Sequence, residues 1–442
     1  MRINAYLAKS SLIAALGGLL FGFDTAVIAG VTSALRVKYE LTPASLGFTV
    51  AAALWGTVIG AMFGGIPGDK WGRRASLRIT GLLYLISALG CSLAFGWTSL
   101  VAARFIGGLG IGASSVLGPM YIAEIAPPKL RGRLVGAFQF NIVFGILLAY
   151  FSNFVIGTLG FGDNEWRWKL GIAGIPAAIF CLLLYTVPES PRWLAKRGRA
   201  AEAEEVLRRT GDENYQADLG EILKSVHAGQ GAADEPLFTR KYRRPIFLAV
   251  TIGMFNQLSG INAVLYYLND IFAKAGYAKF SSDLQSVAVG ATNLIFTIVA
   301  MSVIDRIGRK TLLLIGSVGT AVALAGVAAI FIAGTHQELL VWCLVAFIGF
   351  FGLSQGAVIW VYLSEIFPNL VRAKGQSLGS FTHWIMNLLI SQIFPVVAAA
   401  SGGIPFVFFA AMMVAQFFVV LAVFPETKGY SLEEMQRKLG IA

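Results

Sequence analysis

Charge is what this sequence is short of. Asp, Glu, Lys and Arg make up 13% of its 442 residues, against 56% hydrophobic residues and a mean hydropathy of +0.71. A water-soluble domain carries about twice that charged fraction, so the scarcity excludes one and implies an integral membrane protein. Cysteine is nearly absent. Cys91, Cys181 and Cys343 sit in apolar stretches without metal-ligand spacing. That excludes a disulfide framework and a metal site, and leads us to expect three buried free thiols. No GxxxxGK[ST] phosphate loop occurs, and no nucleophile is paired with a base. Neither an enzyme nor a cofactor is expected. No cleavable signal peptide is evident.

What is present is a series of long apolar runs. Twelve reach the roughly 20 residues that a bilayer of about 30 Å requires. They lie near 10–31, 46–66, 75–95, 98–120, 134–157, 169–187, 246–269, 284–304, 311–333, 339–362, 376–400 and 404–424. An even number places both termini on one side. Alternate loops divide the basic residues 28 to 6, with Arg104 left inside a span, and the acids 17 to 6, with Asp24 left inside. The basic-rich side faces the cytoplasm by the positive-inside rule. Both termini are therefore expected in the cytoplasm, at an inner or plasma membrane. The net charge of +11 is accounted for by topology, and no basic patch with exposed aromatics supports a nucleic-acid partner.

The loops repeat. GGIPGDKWGRR at 64–74 is echoed by DRIGRK at 305–310, EIAPPKLRG at 124–132 by EIFPNLVRAKG at 365–375, and PESPRW by PETKG. The offsets agree: Asp69 to Asp305 is 236, Glu124 to Glu365 is 241, Arg131 to Arg372 is 241 and Pro188 to Pro425 is 237. This is an internal duplication of six spans. We expect an all-α membrane protein of twelve helices in two six-helix repeats. Residues 1–188 form the N-terminal bundle, 189–244 a cytoplasmic linker, 245–425 the C-terminal bundle and 426–442 a cytoplasmic tail. Short amphipathic helices are expected in the linker near 200–209 and 214–227, with a Gly-rich joint at 228–233. Asp69, Arg73, Arg74, Glu124 and Arg131, with Asp305, Arg306, Arg309, Glu365 and Arg372 of the second repeat, suit a cytoplasmic gate of oppositely charged groups. Surface pairs are weak singly, so only a network could bias a conformational equilibrium.

Polar residues inside the spans are few and clustered. Met254 to Tyr267, MFNQLSGINAVLYY, holds Asn256, Gln257, Ser259, Asn262, Tyr266 and Tyr267. Interhelical hydrogen bonding, at about 1 kcal/mol per contact, would explain one amide. Four polar residues within seven positions point instead to the wall of a ligand cavity. Gly260 lets the helix loosen there. Gln139, Asn293, Trp360 and a stripe of Ser380, His383, Trp384, Asn387 and Ser391 add amides and indoles. With Asp24 as the single acid placed inside a span, the set describes a neutral, polyhydroxylated ligand such as a sugar, whose hydroxyls need paired donors and acceptors. Asp24, flanked by Phe21 and Phe23, has Arg104 as its available partner, which is the logic of a proton-coupling switch.

These residues resemble the sugar porter family of the major facilitator superfamily over nearly the whole chain. FGFD, GDKWGRR, RFIGGLGIG, PESPRWL, QLSGIN, DRIGRK, YLSEIFPNLVRAKG and PETKG carry the resemblance. It implies the major facilitator fold and a transporter working by alternating access, expected to act as a monomer in the lipid bilayer. The positions matching the family's sugar ligands are Gln139, Gln257, Asn262, Asn293, Trp360, Trp384 and Asn387. Phe21, Asn256, Tyr266, Tyr267 and His383 complete the expected substrate site. Proton-coupled members pair an Asp at the position of Asp24 with the Arg at Arg104, so symport of a monosaccharide with protons is expected. A facilitative uniporter and a non-transporting sensor are the alternatives, the sensor disfavoured by a tail of 18 residues after the last span. The chain departs from the family pattern in several places. Asn256 stands where a second Gln is common, Ile146 where some xylose-type members carry Gln, and His383 where relatives often have Asn or Gln. The prolines that commonly precede the tenth-helix Trp are absent from QGAVIW. The departures favour glucose over xylose.

Overall fold

The computed structural model describes residues 4–211, 214–229, 235–368, 370–430 and 432–441. The 230–233 portion of the expected Gly-rich joint lies outside the described residues. Among the described residues, regular structure is entirely helical. In hydrocarbon, a helix satisfies its own backbone, and apolar runs of this length take that form. In chain order the helices are α1 (Ala5–Val27), α2 (Thr32–Lys38), α3 (Pro43–Phe63), α4 (Gly65–Trp71), α5 (Arg73–Ser92), α6 (Trp97–Ile125), α7 (Pro128–Thr158), α8 (Glu165–Gly171) and α9 (Gly174–Leu183). The connector holds α10 (Pro191–Lys196), α11 (Ala200–Arg209) and α12 (Tyr215–Gly229). Then follow α13 (Arg243–Leu258), α14 (Ile261–Tyr266), α15 (Leu268–Lys274), α16 (Lys279–Ile307), α17 (Arg309–Ala333), α18 (Leu340–Leu353), α19 (Gln355–Glu365), α20 (Arg372–Ala400), α21 (Ile404–Val423) and α22 (Leu432–Leu439). Among the described residues, twelve helical segments are long and apolar enough to cross a membrane, from Ala5–Gly30 to Ile404–Val423.

Two compact units are distinguished. One comprises Met1–Thr25, Ala52–Ala149 and Arg167–Asp234; the other comprises Ala26–Ala51, Tyr150–Trp166 and Glu235–Ala442. In the first, α3 and α6 meet backbone to backbone. A methyl group added at Gly108 would lie 1.9 Å from the Ala53 carbonyl oxygen, and one at Gly112 would lie 2.2 Å from that of Thr57. The glycines of RFIGGLGIG are therefore there for close approach, as small residues are in membrane helix pairs. The connector belongs to this unit and has its own small core of Leu194, Ala203, Val206, Leu207 and Ile222. Asn4 donates to the Arg209 carbonyl at 2.8 Å and Trp193 Nε1 to that of Asp69 at 3.0 Å, tying the connector to the start of the chain and to α4.

In the second unit, a core of Tyr242, Leu312, Tyr362, Phe367, Val420 and Phe424 also takes in Met435, Leu439 and Ile441. The last residues are thus part of the packed unit. Their helix, α22, turns an apolar stripe inward and charges outward.

Two expectations need correction. Cys91 is buried, but Cys181 and Cys343 are only partly so, since an apolar helix of a membrane protein keeps part of its surface outside the protein core. Asp24 is also not the single acid in a spanning segment. Ser281–Ile307 includes Asp283, 3% exposed. Its helix begins at Lys279, five residues before the apolar run does, so a hydropathy window leaves this acid in the loop.

Candidate functional site

In the second unit the polar stretch breaks its helix where the glycine stands. α13 ends at Leu258, Gly260 adopts φ +79°, and α14 begins at Ile261. Only glycine takes that backbone without strain, and an added Cβ would lie 2.3 Å from the Phe409 ring. Ser259 supports the turn, its Oγ donating to the Asn256 carbonyl at 2.6 Å and accepting from Ile261 N–H at 3.3 Å.

Around this break the amides form a directed network. Asn262 Nδ2 donates to Gln257 Oε1 at 2.9 Å, and Gln257 Nε2 donates to Asn256 Oδ1 at 2.9 Å. Asn256 Nδ2 donates in turn to the Gln355 carbonyl at 3.2 Å. Gln257 Nε2 also faces the His383 ring, 3.2 Å from Nδ1. His383 sits between indoles, with ring centroids 5.2 Å from those of Trp360 and Trp384. A second chain runs from Tyr267 OH to the Ser391 carbonyl at 2.9 Å, from Ser391 Oγ to Asn387 Oδ1 at 3.0 Å, and from Asn387 Nδ2 to Tyr266 OH at 3.2 Å. Asn293, on α16, is buried beside Gly352. The tenth span breaks at Ser354, between α18 and α19, without a proline. Ser354 Oγ donates to the Phe350 carbonyl at 2.6 Å there.

Asn256, Gln257, Asn262, Tyr266, Tyr267, Trp360, His383, Trp384 and Asn387 are thus assembled in one unit. Trp360, 37% exposed, and half-buried Asn262 are its open members. Phe21 and Gln139 belong to the first unit, half-buried on α1 and α7.

The first unit also holds the charged pair. Arg104 Nη1, on α6, donates to both carboxylate oxygens of Asp24, on α1, at 3.0 and 3.1 Å. Arg104 is 3% exposed and its Nε has no hydrogen-bond partner. A buried arginine held through one nitrogen is costly to leave without its acid. Chemically, the pair can exchange an ion pair for a protonated carboxyl.

The ten gate residues fall into two matching clusters. Arg73 binds Glu124 through Nε at 3.0 Å and Nη2 at 2.9 Å, and binds Asp69 through Nη1 at 2.7 Å. Arg309 binds Glu365 through Nε at 3.2 Å and Nη2 at 2.8 Å, and pairs with Asp305 at 2.9 Å. Arg74, Arg131 and Arg372 donate to the carbonyls of Val187, Ala123 and Phe367, and Arg306 accepts from Lys428 through its own carbonyl. Every one of these contacts closes within a single unit.

Four residues completing the clusters escaped the sequence reading. Glu189 accepts from the N–H groups of Arg73 and Arg74, and Glu426 accepts from those of Arg309 and Lys310. Each carboxylate caps a helix start just after a glycine with φ near +100°, Gly72 or Gly308. Tyr121 OH donates to the Pro188 carbonyl and Tyr362 OH to that of Pro425. The signal was in the duplication: each pair is separated by the same offset as the motifs around it.

Twelve apolar helical segments, doubled charged clusters and an uncharged amide network define a multi-pass membrane carrier. The chain belongs to the sugar transporter family: residues 10–439 match the family model described as "Sugar (and other) transporter". It is 36% identical over 471 residues to the D-xylose-proton symporter of Escherichia coli K12, covering 98% of this chain and 96% of that one. It is 34% identical over 459 residues to the glucose facilitated diffusion protein of Zymomonas mobilis, covering 97% and 96%. The fold matches the inward open conformation of the xylose transporter XylE from E. coli with a TM-score of 0.87 at 35% identity, covering 98% of this chain and 100% of that one. The family is one of transporters, not enzymes.

Proposed function

We propose that this chain imports a monosaccharide together with protons by alternating access, with a glucose-like hexose as substrate. The observation that carries the reading is that one unit holds the buried Asp24–Arg104 pair and the other an uncharged amide and indole network. Released from Arg104, Asp24 takes a proton from outside. Sugar hydroxyls then exchange with the amide bonds around Gln257 and Asn262, and an apolar sugar face lies on Trp360. Both leave on the inside. Residues 1–188 and 245–425 act as the two moving halves, with 189–244 joining them on the cytoplasmic side and both termini in the cytoplasm. The charged clusters around Arg73 and Arg309 serve as the cytoplasmic gate, and the carrier works as a monomer. Ile146, apolar where some xylose-type relatives carry Gln, favours the hexose.

The test is labelled-glucose uptake into proteoliposomes under an inward proton gradient, with a panel of competing sugars. Accumulation above equilibrium that a protonophore abolishes, and that Asp24→Asn loses, is expected. Equilibration without a gradient would make the chain a facilitator, as the name of its Zymomonas relative describes that protein, and Asp24 structural. Stronger competition by xylose than by glucose would reverse the choice of sugar.

A further inference from the structure

The second unit holds a further charged group away from water. Asp270 lies on α15, beyond the break at Gly260, with its side chain 15% exposed and its Oδ2 without a hydrogen-bond donor. The nearest cation is Arg36 on α2, its Nη2 3.6 Å from that oxygen and its side chain 47% exposed. Thr32, also on α2, is buried, its hydroxyl donating to the Ala29 carbonyl at 3.3 Å. On α15 itself, Lys274 donates to the Ala398 carbonyl, and Tyr267, just before that helix, donates to that of Ser391. From α16, Asp283 faces the neighbouring Asn269. Burial lifts the Asp270 carboxyl above its ordinary range, against the pull of Arg36, Thr32 and Lys274.

The position of this pair in the chain is unusual. Arg36–Asp270 and Lys279–Glu165 are ion pairs that join residues below 189 to residues above 244. The clusters around Arg73 and Arg309 do not cross that divide. Helix α16 separates the two kinds of contact: it starts at Lys279, near α15, and ends beside Asp305, about 40 Å away at 1.5 Å per residue.

We propose that Arg36 and Asp270 form the charged element of a gate at the end of the second unit opposite the Arg309 cluster. Closing buries Asp270 while Arg36 lowers the cost, and opening returns both groups to water. The proposal rests on the alternating-access reading. It carries an asymmetry. Removing Arg36 strands a buried carboxylate, whereas removing the Asp270 charge leaves a half-exposed Arg36 free to turn to solvent.

A reporter stands behind the pair. Ala29, 1% exposed, lies in the turn Ile28–Gly30, which packs on α14 and α15. In the full chain, with the three native cysteines changed to Ser, Ala29→Cys is labelled by a membrane-impermeant maleimide in intact cells. Arg36→Ala should label at least about fivefold faster than the parent, the scale of one modest ion pair. Asp270→Asn should label no faster than the parent, and it should restore slow labelling when combined with Arg36→Ala. Equal rates for Arg36→Ala and parent overturn the proposal, as does a fast rate that Asp270→Asn fails to suppress.

A second measurement guards against a misfolded Arg36→Ala. A carboxyl whose pKa is raised in the closed state favours closure at low pH and loses that effect as pH rises through the raised value. Labelling of the parent should therefore slow on acidification more than labelling of Asp270→Asn, and equal slopes overturn the proposal. If the Arg36 pattern is absent while uptake persists, the gate alone fails. If it is present while neither sugar nor a proton gradient alters labelling, the alternating-access reading fails.

Discussion

Replacing Gln257 with Ala removes the centre of the amide network. The side chain accepts from Asn262 at 2.9 Å, donates to Asn256 at 2.9 Å and faces His383 at 3.2 Å. Asn262 is half-buried and can turn to water. Asn256, 2% exposed and fixed by its bond to the Gln355 carbonyl, cannot. One stranded buried acceptor costs about 1–3 kcal/mol of stability. The same truncation removes a donor and an acceptor from a bound sugar, worth about 1.4–2.8 kcal/mol, or about tenfold to a hundredfold in affinity. Trp360 and Trp384 flank His383, so quenching of tryptophan fluorescence on sugar titration reads the affinity, with thermal unfolding in detergent followed in parallel. Asn262→Ala, which takes the donor from the buried Gln257 Oε1, should also lower affinity, with a stability loss of the same order. A folded Gln257→Ala variant with unchanged affinity would refute the assignment and move the site elsewhere.

Other expectations follow from the packing. Burial raises the pKa of Glu426, but the N–H groups of Lys428, Arg309, Lys310 and Thr427 together outweigh it and leave the carboxyl below its ordinary range. Its contribution is present above the unfolded pKa and lost as pH falls through the lowered one. The melting-temperature advantage of the parent over Glu426→Gln should therefore be full at pH 7 and vanish on acidification. Gly108→Ala should part α3 from α6 and cost about 1–3 kcal/mol or more, whereas Gly65→Ala, with nothing within 4 Å of its added methyl, should leave thermal stability unchanged. Leu439→Ala should lower stability by about 2–4 kcal/mol without altering sugar affinity, since Leu439 packs in the core of the second unit and away from the amide network.

The spans were legible because lipid demands unbroken apolar runs, and the repeat because charged loop residues recur at one spacing. The Gly260 break was legible too, since glycine amid amides announces a turn. What the sequence concealed depends on side-chain direction. Glu189 and Glu426 sit inside PESPRW and PETKG, but that each caps a helix more than a hundred residues upstream is a tertiary fact. Asp270 and Asp283 fall at the ends of apolar runs, where a hydropathy average cannot tell a solvated loop from a buried helix turn. Cys181 and Cys343 were misjudged for a related reason. An apolar helix is buried in lipid and protein alike, and hydrophobicity does not say which covers a given face.

The matching clusters have a consequence for how the chain is made. Arg73 finds Asp69, Glu124 and Glu189 within the first 189 residues, and Arg309 finds Asp305, Glu365 and Glu426 between 305 and 426. Neither knot waits for the other. The first can be tied as soon as Glu189 leaves the ribosome, while more than half the sequence is still untranslated, so insertion into the membrane can proceed in two stages, each ending on the glutamate that secures what came before it.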